Sequence, residues 1–200
     1  MTTAGQSPFI YLARHGETAW SISGQHTGLT DIPLTQRGER NARQLALRLQ
    51  GIIFWRVFTS PLQRARQTCA LAGFAPVAQI EPDLVEWNYG DYEGKTSAQI
   101  QKIRPGWEIF NDGCPDGESP ADIGIRADRV IAKLRSAGGN VLIFSHGHFL
   151  RVLTARWLSL APAAGKLFLL DTAALSIVGY EHAATDSVIR LWNDCRHTCD

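Results

Sequence analysis

The sequence predicts an α/β fold, a mostly parallel central sheet with helices on both faces, in a single domain spanning residues 1–200. Two observations carry that prediction. Short apolar runs at 9–13, 52–59, 77–80 and 141–144 alternate with stretches whose apolar residues recur at helical spacing. No internal repeat, low-complexity tract or linker divides the chain, and 200 residues with 44% hydrophobic content suffice to bury one substantial core. These patterns do not yield the strand order.

The first run, 9–13, reads as a buried strand that ends abruptly in Arg14-His15-Gly16. Residues 18–33 are a polar loop broken by Gly24, Gly28 and Pro33. Thr35 caps a helix whose apolar face is Ala42, Leu45, Ala46 and Leu49, and Gly51 stops it. A second strand follows at 52–59. Ser60-Pro61, a cap with proline at the first helical position, launches a helix to about Ala72. Residues 77–80 form a third short strand, and 81–94 is irregular and rich in Glu, Trp and Tyr.

Residues 96–104 read as a short helix ended by Pro105-Gly106, and 107–118 has loop composition. Ser119-Pro120 opens a helix with Ile123, Ala127, Val130, Ile131 and Leu134 on one face and Gly138-Gly139 beyond it. The apolar strand 141–144 leads into Ser145-His146-Gly147-His148, which starts a helix through 158. Residues 175–180 and 188–192 flank a polar turn and read as a closing hairpin.

Bulk properties exclude several function classes. The net charge of +1 gives no basic field for nucleic acid, so any bound anion must be met by a local cluster of charge. The first eight residues carry no secretory signal pattern, and no apolar run has transmembrane length, which makes the cytoplasm the expected compartment. Cys69, Cys114, Cys195 and Cys199 form no paired C-x-x-C spacing. Cys69 reads as a small buried hydrophobe, and Cys195, His197 and Cys199 fall short of four zinc ligands.

The chemistry gathers at strand ends. Arg14 and His15 lie at the carboxyl end of the first strand, where open α/β sheets bind ligands. A cation beside an imidazole disfavours imidazolium and suits a neutral ring facing an anion that the arginine holds. Such a pair is ordinary solvated surface unless partners converge on it. Ser145-His146-Gly147 repeats the pattern at another strand end, and parallel strands bring such ends to one edge. At a third, Arg64 sits in a first helical turn whose free N–H groups make an anion site. One of Arg64 and Arg66 faces the cleft; Arg64 is the choice.

Arg-His-Gly-Glu-Thr at 14–18, Ser-Pro-Leu-x-Arg-Ala-x-Gln-Thr at 60–68, Glu-x-x-Tyr-Gly-x-Tyr-Glu-Gly at 86–94 and Ser-His-Gly-His at 145–148 together resemble the histidine phosphatase superfamily. They occur in family order across most of the chain, which makes the match specific. The resemblance implies the phosphoglycerate-mutase-like three-layer sandwich. It implies His15 as nucleophile on phosphorus, with Arg14, Arg64 and His146 gripping the phosphate oxygens and Gly147 beside them. It needs no cofactor and no metal, and no metal-binding carboxylate cluster is evident in the sequence. Glu86 matches the family's acid for the leaving alkoxide, with Trp87 and Tyr89 to desolvate it and raise its pKa. Glu93, Glu81 and Glu17 are ranked below it, and Glu17 is expected to orient the backbone or His15.

The resembling mutases carry a basic pair in an inserted segment and an asparagine after the motif tryptophan. Here that segment has no adjacent arginines, and the asparagine position is Ser21. Hydrolysis is therefore favoured, with a cofactor-dependent phosphoglycerate mutase as the alternative and a non-catalytic phospho-ligand module behind it. Residues 20–31 and 112–118 most resemble the fungal sedoheptulose-bisphosphatase branch. That implies Ser21, Ser23, Gln25, Thr27 and the loop around Asp112 on the leaving-group side, facing the hydroxyls of a sugar phosphate or bisphosphate. Trp20 and Trp87 are candidates for packing on the sugar, though core burial is the commoner fate of such rings. The expected partner is a small-molecule phosphate ester, with no nucleic acid and no membrane; homo-oligomer formation stays open.

Overall fold

A computed structural model describes residues 8–181 and 186–198 of the chain. In chain order the elements are β1 (Ile10–Arg14), α1 (Ala19–Ser23), α2 (Gln36–Leu49), β2 (Arg56–Thr59), α3 (Gln63–Leu71), β3 (Ala78–Ile80), α4 (Ser97–Ile103), α5 (Ile109–Asp112), α6 (Pro120–Arg135), β4 (Val141–Ser145), α7 (Gly147–Trp157), β5 (Leu175–Tyr180) and β6 (Ser187–Asp194). Short 3₁₀ segments occupy Pro82–Leu84, Gly90–Tyr92 and Pro162–Leu167.

The strands form one sheet in the order β3-β2-β4-β1-β5-β6. β1 to β4 run parallel, β5 runs antiparallel to β1, and β6 pairs antiparallel with β5, as the hairpin expectation requires. Alternation along the strands splits the core in two. Ile10, Leu12, Val141 and Ile143 pack under α6 and α7, with Trp87, Tyr89 and Phe110 in the same cluster. Tyr11, Ala13, Leu142 and Phe144 face Leu45 and Leu49 of α2 and Cys69 of α3. Burial on both faces is why these strands read as continuous apolar runs. No helix among the described residues is long and apolar enough to cross a membrane.

The expected starts at Thr35 and Ser119 hold, each side chain accepting a backbone N–H from its helix, and Thr96 does the same for α4. Elsewhere the pattern misled. α1 lies inside the expected loop, nucleated by a capping box between Thr18 and Ser21. α5 likewise interrupts the segment expected to be loop. Strand β2 begins only at Arg56. Helix α3 starts at Gln63 rather than at Ser60-Pro61, because Asp31 accepts the Gln63 N–H at 2.7 Å and stands where an anion was expected.

One close approach sets the loop after β1. Gly16 and Gly38 meet backbone to backbone: a Cβ on Gly16 would lie 2.6 Å from the Gly38 oxygen, and one on Gly38 would lie 2.3 Å from the Glu17 oxygen. Gly38→Ala, though it improves helix propensity, is expected to cost about 1–3 kcal/mol by overpacking and to lower activity by displacing His15. Urea unfolding with a parallel activity assay checks this; a variant as stable and active as the parent contradicts it.

Candidate active site

The carboxyl ends of β1 and β4 lie side by side, with Arg14 in register with Ser145. His15 extends that ladder: its N–H donates to the Ser145 carbonyl at 2.9 Å, and its own carbonyl accepts the Ala173 N–H at 2.9 Å. The chain is thus held on both sides where the ring leaves it. The Nδ1 of His15 lies 2.7 Å from the Gly16 carbonyl, which can only accept, so Nδ1 carries the proton and Nε2 the lone pair. Burial, then the charges of Arg64 and Arg14, hold this ring well below the ordinary histidine pKa, against a smaller opposing contribution from the Gly16 bond. The ring is neutral with an unprotonated Nε2. His146 lies beside it, ring centroids 5.1 Å apart.

A cavity of about 190 Å³ opens here, lined by Arg14, His15, Glu86 and Gly147 among the expected residues. Arg14 donates from Nη1 to the Leu170 carbonyl, while its buried Nε has no partner among the described residues. Gly147 makes room for it, since a Cβ there would lie 3.2 Å from the guanidinium.

Arg64 and His146 are placed differently from the expectation that they grip oxygens directly. Both are fully buried and neither lines the cavity. Arg64 donates from Nη1 to the Thr30 carbonyl, from Nη2 to those of Thr27 and Gly28, and from Nε to Nδ1 of His146. That bond leaves the His146 proton on Nε2, which donates to Ser60 Oγ at 2.7 Å. Both nitrogens of His146 are taken, and four of the five N–H groups of Arg64. The pair therefore forms a cationic layer behind His15. Arg66, the alternative, lines a different cavity beside β3.

Glu86 reaches the site by way of Ser145, whose hydroxyl donates to the Leu84 carbonyl. Its carboxylate sits at the amino end of α7: Oε1 accepts the N–H groups of Trp87 and Phe149, and Oε2 accepts that of His148. The segment carrying Glu86 is held from behind by Arg126, which donates to the carbonyls of Asp83, Val85 and Glu86 and pairs with Glu118 at 2.7 Å. Glu93 accepts the N–H groups of Gly28 and Thr30, Glu81 pairs with Lys133, and Glu17 accepts the Thr35 hydroxyl. Glu17 thus fixes the loop onto the start of α2, and among the described residues no hydrogen bond joins it to the His15 ring.

Of the residues expected on the leaving-group side, Ser21, Gln25 and Thr27 line the cavity. Ser23 does not; it is exposed and donates to Gln25 Oε1 at 2.6 Å. Asp112 points away, pairing with Arg104 and capping Glu108. Trp20 lines the cavity, whereas Trp87 is wholly buried with its indole N–H on the Glu118 carbonyl.

Tyr89, expected beside Glu86, also lines the cavity, and among the lining residues given no role in the sequence are His26, His148 and Arg151. His148 lies 2.5 Å from the Tyr89 hydroxyl, and burial holds the ring well below its ordinary pKa. Burial also raises the Tyr89 pKa, so a neutral hydroxyl and a neutral imidazole share this short contact. His26 stacks on Tyr89 at 4.8 Å and burial lowers its pKa to about 4. The signal was available for two of them. His148 and Arg151 follow Gly147 at i+1 and i+4 on a helix, which puts all three on one side.

Among the described residues no group of three or more His, Cys, Asp or Glu side chains gathers as a metal site. Cys69 is buried as expected, and Cys199 lies outside the described residues.

The family model described as histidine phosphatase superfamily (branch 1) matches residues 10–195. An acid phosphatase of Mycobacterium tuberculosis is 42% identical over 86% of this chain and 87% of its own. A sedoheptulose 1,7-bisphosphatase of Saccharomyces cerevisiae is 35% identical over 77% and 69%. The solved structure of the Mycobacterium tuberculosis open reading frame Rv3214 superposes with a TM-score of 0.88 at 38% identity, covering 93% of this chain and 97% of that one. Other relatives, at 32% and 30% identity, carry the mutase name GpmB.

Proposed function

Because the chain belongs to the histidine phosphatase superfamily (branch 1), we propose that it hydrolyses a sugar phosphate or bisphosphate through a phosphohistidine on His15, without a metal. Its phosphatase relatives make it a phosphoric monoester hydrolase, with a small-molecule phosphate ester as substrate. The observation that carries the mechanism is the tautomer of His15: the Gly16 carbonyl takes the Nδ1 proton and leaves Nε2 as a lone pair at the cavity wall.

In the proposed first step that lone pair attacks phosphorus and the ester P–O bond breaks. Charge on the phosphoryl oxygens meets the unpartnered Nε–H of Arg14, backed by the cationic layer of Arg64 and His146. A donor so placed is worth about 2.7–4 kcal/mol to the transition state. Glu86 gives a proton to the leaving alkoxide from Oε2, the oxygen with a single N–H partner. In the second step the resulting carboxylate takes a proton from water, whose oxygen attacks phosphorus as the P–N bond breaks. Orthophosphate leaves and the neutral imidazole returns.

Phosphate release from a panel of sugar mono- and bisphosphates, with chelator present, tests this reading. Fast chelator-resistant release from one of them is the expected result. Isomerisation of 3-phosphoglycerate without release, or release abolished by chelator, overturns it.

A further inference from the structure

His15 and Glu86 come from separate parts of the chain, and one residue serves both. The His15 N–H donates to the carbonyl of Ser145 at 2.9 Å, while the Ser145 hydroxyl donates at 2.7 Å to the carbonyl of Leu84, next but one before Glu86. Ser145 and Leu84 are wholly buried, so neither group has water as an alternative partner. The main chain of this serine holds the strand end of His15, and its side chain holds the segment of Glu86.

That segment depends on such donors because no ladder supports it. Residues 85–89 lie in neither helix nor strand. Four successive carbonyls are taken instead by two side chains: Arg126 on α6 takes those of Asp83, Val85 and Glu86, and Ser145 takes that of Leu84. Of these bonds, only the one from Ser145 runs to the strand end that also holds His15. The Glu86 carboxylate then meets the amino end of α7, where Oε2 accepts the single N–H of His148. An oxygen held by one bond takes its aim from the placement of its own backbone.

We propose that Ser145 is a positioning residue for the acid: its hydroxyl ties the Glu86 segment to the end of β4 and so fixes the proton donor against the nucleophile. This rests on the reading of Glu86 as the acid and His15 as the nucleophile. Removing the hydroxyl then perturbs the acid alone, because the carbonyl that holds His15 belongs to the main chain and stays.

Ser145→Ala tests this with two esters of similar shape. Single-turnover release of the alcohol, with enzyme in excess, reads the first step by itself. Benzyl phosphate, whose alkoxide needs a proton, is expected to slow by about ten- to a hundredfold, and p-nitrophenyl phosphate, whose phenolate leaves unaided, by about twofold or less. A serine that merely stabilised the fold would slow both alike. In Glu86→Gln protein, adding Ser145→Ala is expected to slow benzyl phosphate by about twofold or less, since the hydroxyl acts through the carboxylate. Equal rates of loss for the two esters in Ser145→Ala, no loss for either, or full additivity in the double variant overturns the proposal. Glu86→Gln by itself separates the two readings. If it slows the esters unequally and Ser145→Ala does not, the acid stands and the positioning role falls; if it treats them alike, the acid assignment falls and takes the proposal with it. Should Ser145→Ala fail to fold, Ser145→Cys fills the same space with a weak donor. A gap of about threefold or more between the esters then supports the proposal, and equal losses overturn it.

Discussion

In His15→Ala protein, phosphate release is expected to fall by about four to six decades, the scale of losing the nucleophile from a covalent mechanism. The acid-labile phosphoenzyme should vanish with it. The ring is nearly buried, but its removal leaves the backbone bonds to Ser145 and Ala173, so the strand end keeps its place. The loss is therefore chemical rather than structural, and an unchanged circular dichroism spectrum checks that. Phosphoenzyme detected by mass spectrometry in this variant would move the nucleophile elsewhere, with no other imidazole in the cavity so clearly presenting a lone pair. His146 has both nitrogens engaged, and His148 has its Nδ1 against the Tyr89 hydroxyl.

Glu86→Gln should divide substrates by their leaving group. An alkyl phosphate, whose alkoxide needs a proton, is expected to lose about two to four decades in kcat. An aryl phosphate such as p-nitrophenyl phosphate, whose phenolate leaves unaided, should lose far less. The structure adds a second consequence. A glutamine carbonyl placed at Oε1 keeps the Trp87 and Phe149 bonds but sets its NH₂ against the His148 N–H. Thermal unfolding should register that mismatch as about 1–3 kcal/mol. Equal losses for both esters would assign the proton to another group and leave Glu86 as an anchor for α7.

What the sequence made legible was local. Apolar runs ending in Arg14-His15 and Ser145-His146 marked strand ends, and parallel pairing was enough to make those histidines neighbours. Thr35 and Ser119 signalled their helices because each cap acts within four residues. Ser60 misled because its hydroxyl serves a residue 86 positions away, and Asp31 caps α3 from a distant loop. Residue type announced Arg64 as a cation at a strand end, yet its direction is set by carbonyls of residues 27–30. Periodicity assigns a face to a helix, but no pattern along the chain shows which carbonyls another loop will present.

The pairing of β1 with β4 also governs how the molecule comes into being. The Phe9 N–H that opens this ladder bonds Asn140, 131 residues away, and between them the chain must lay down β2, β3 and the helices through α6. Closing so long a span costs chain entropy before its contacts repay it, which places this union late in folding. A nascent chain has Arg14 and His15 from the start but no pocket, since the opposite wall on α7 is made almost last. Competence should therefore arrive in one step with the closing of the sheet, and a fragment ending before β4 should carry the nucleophile without reactivity.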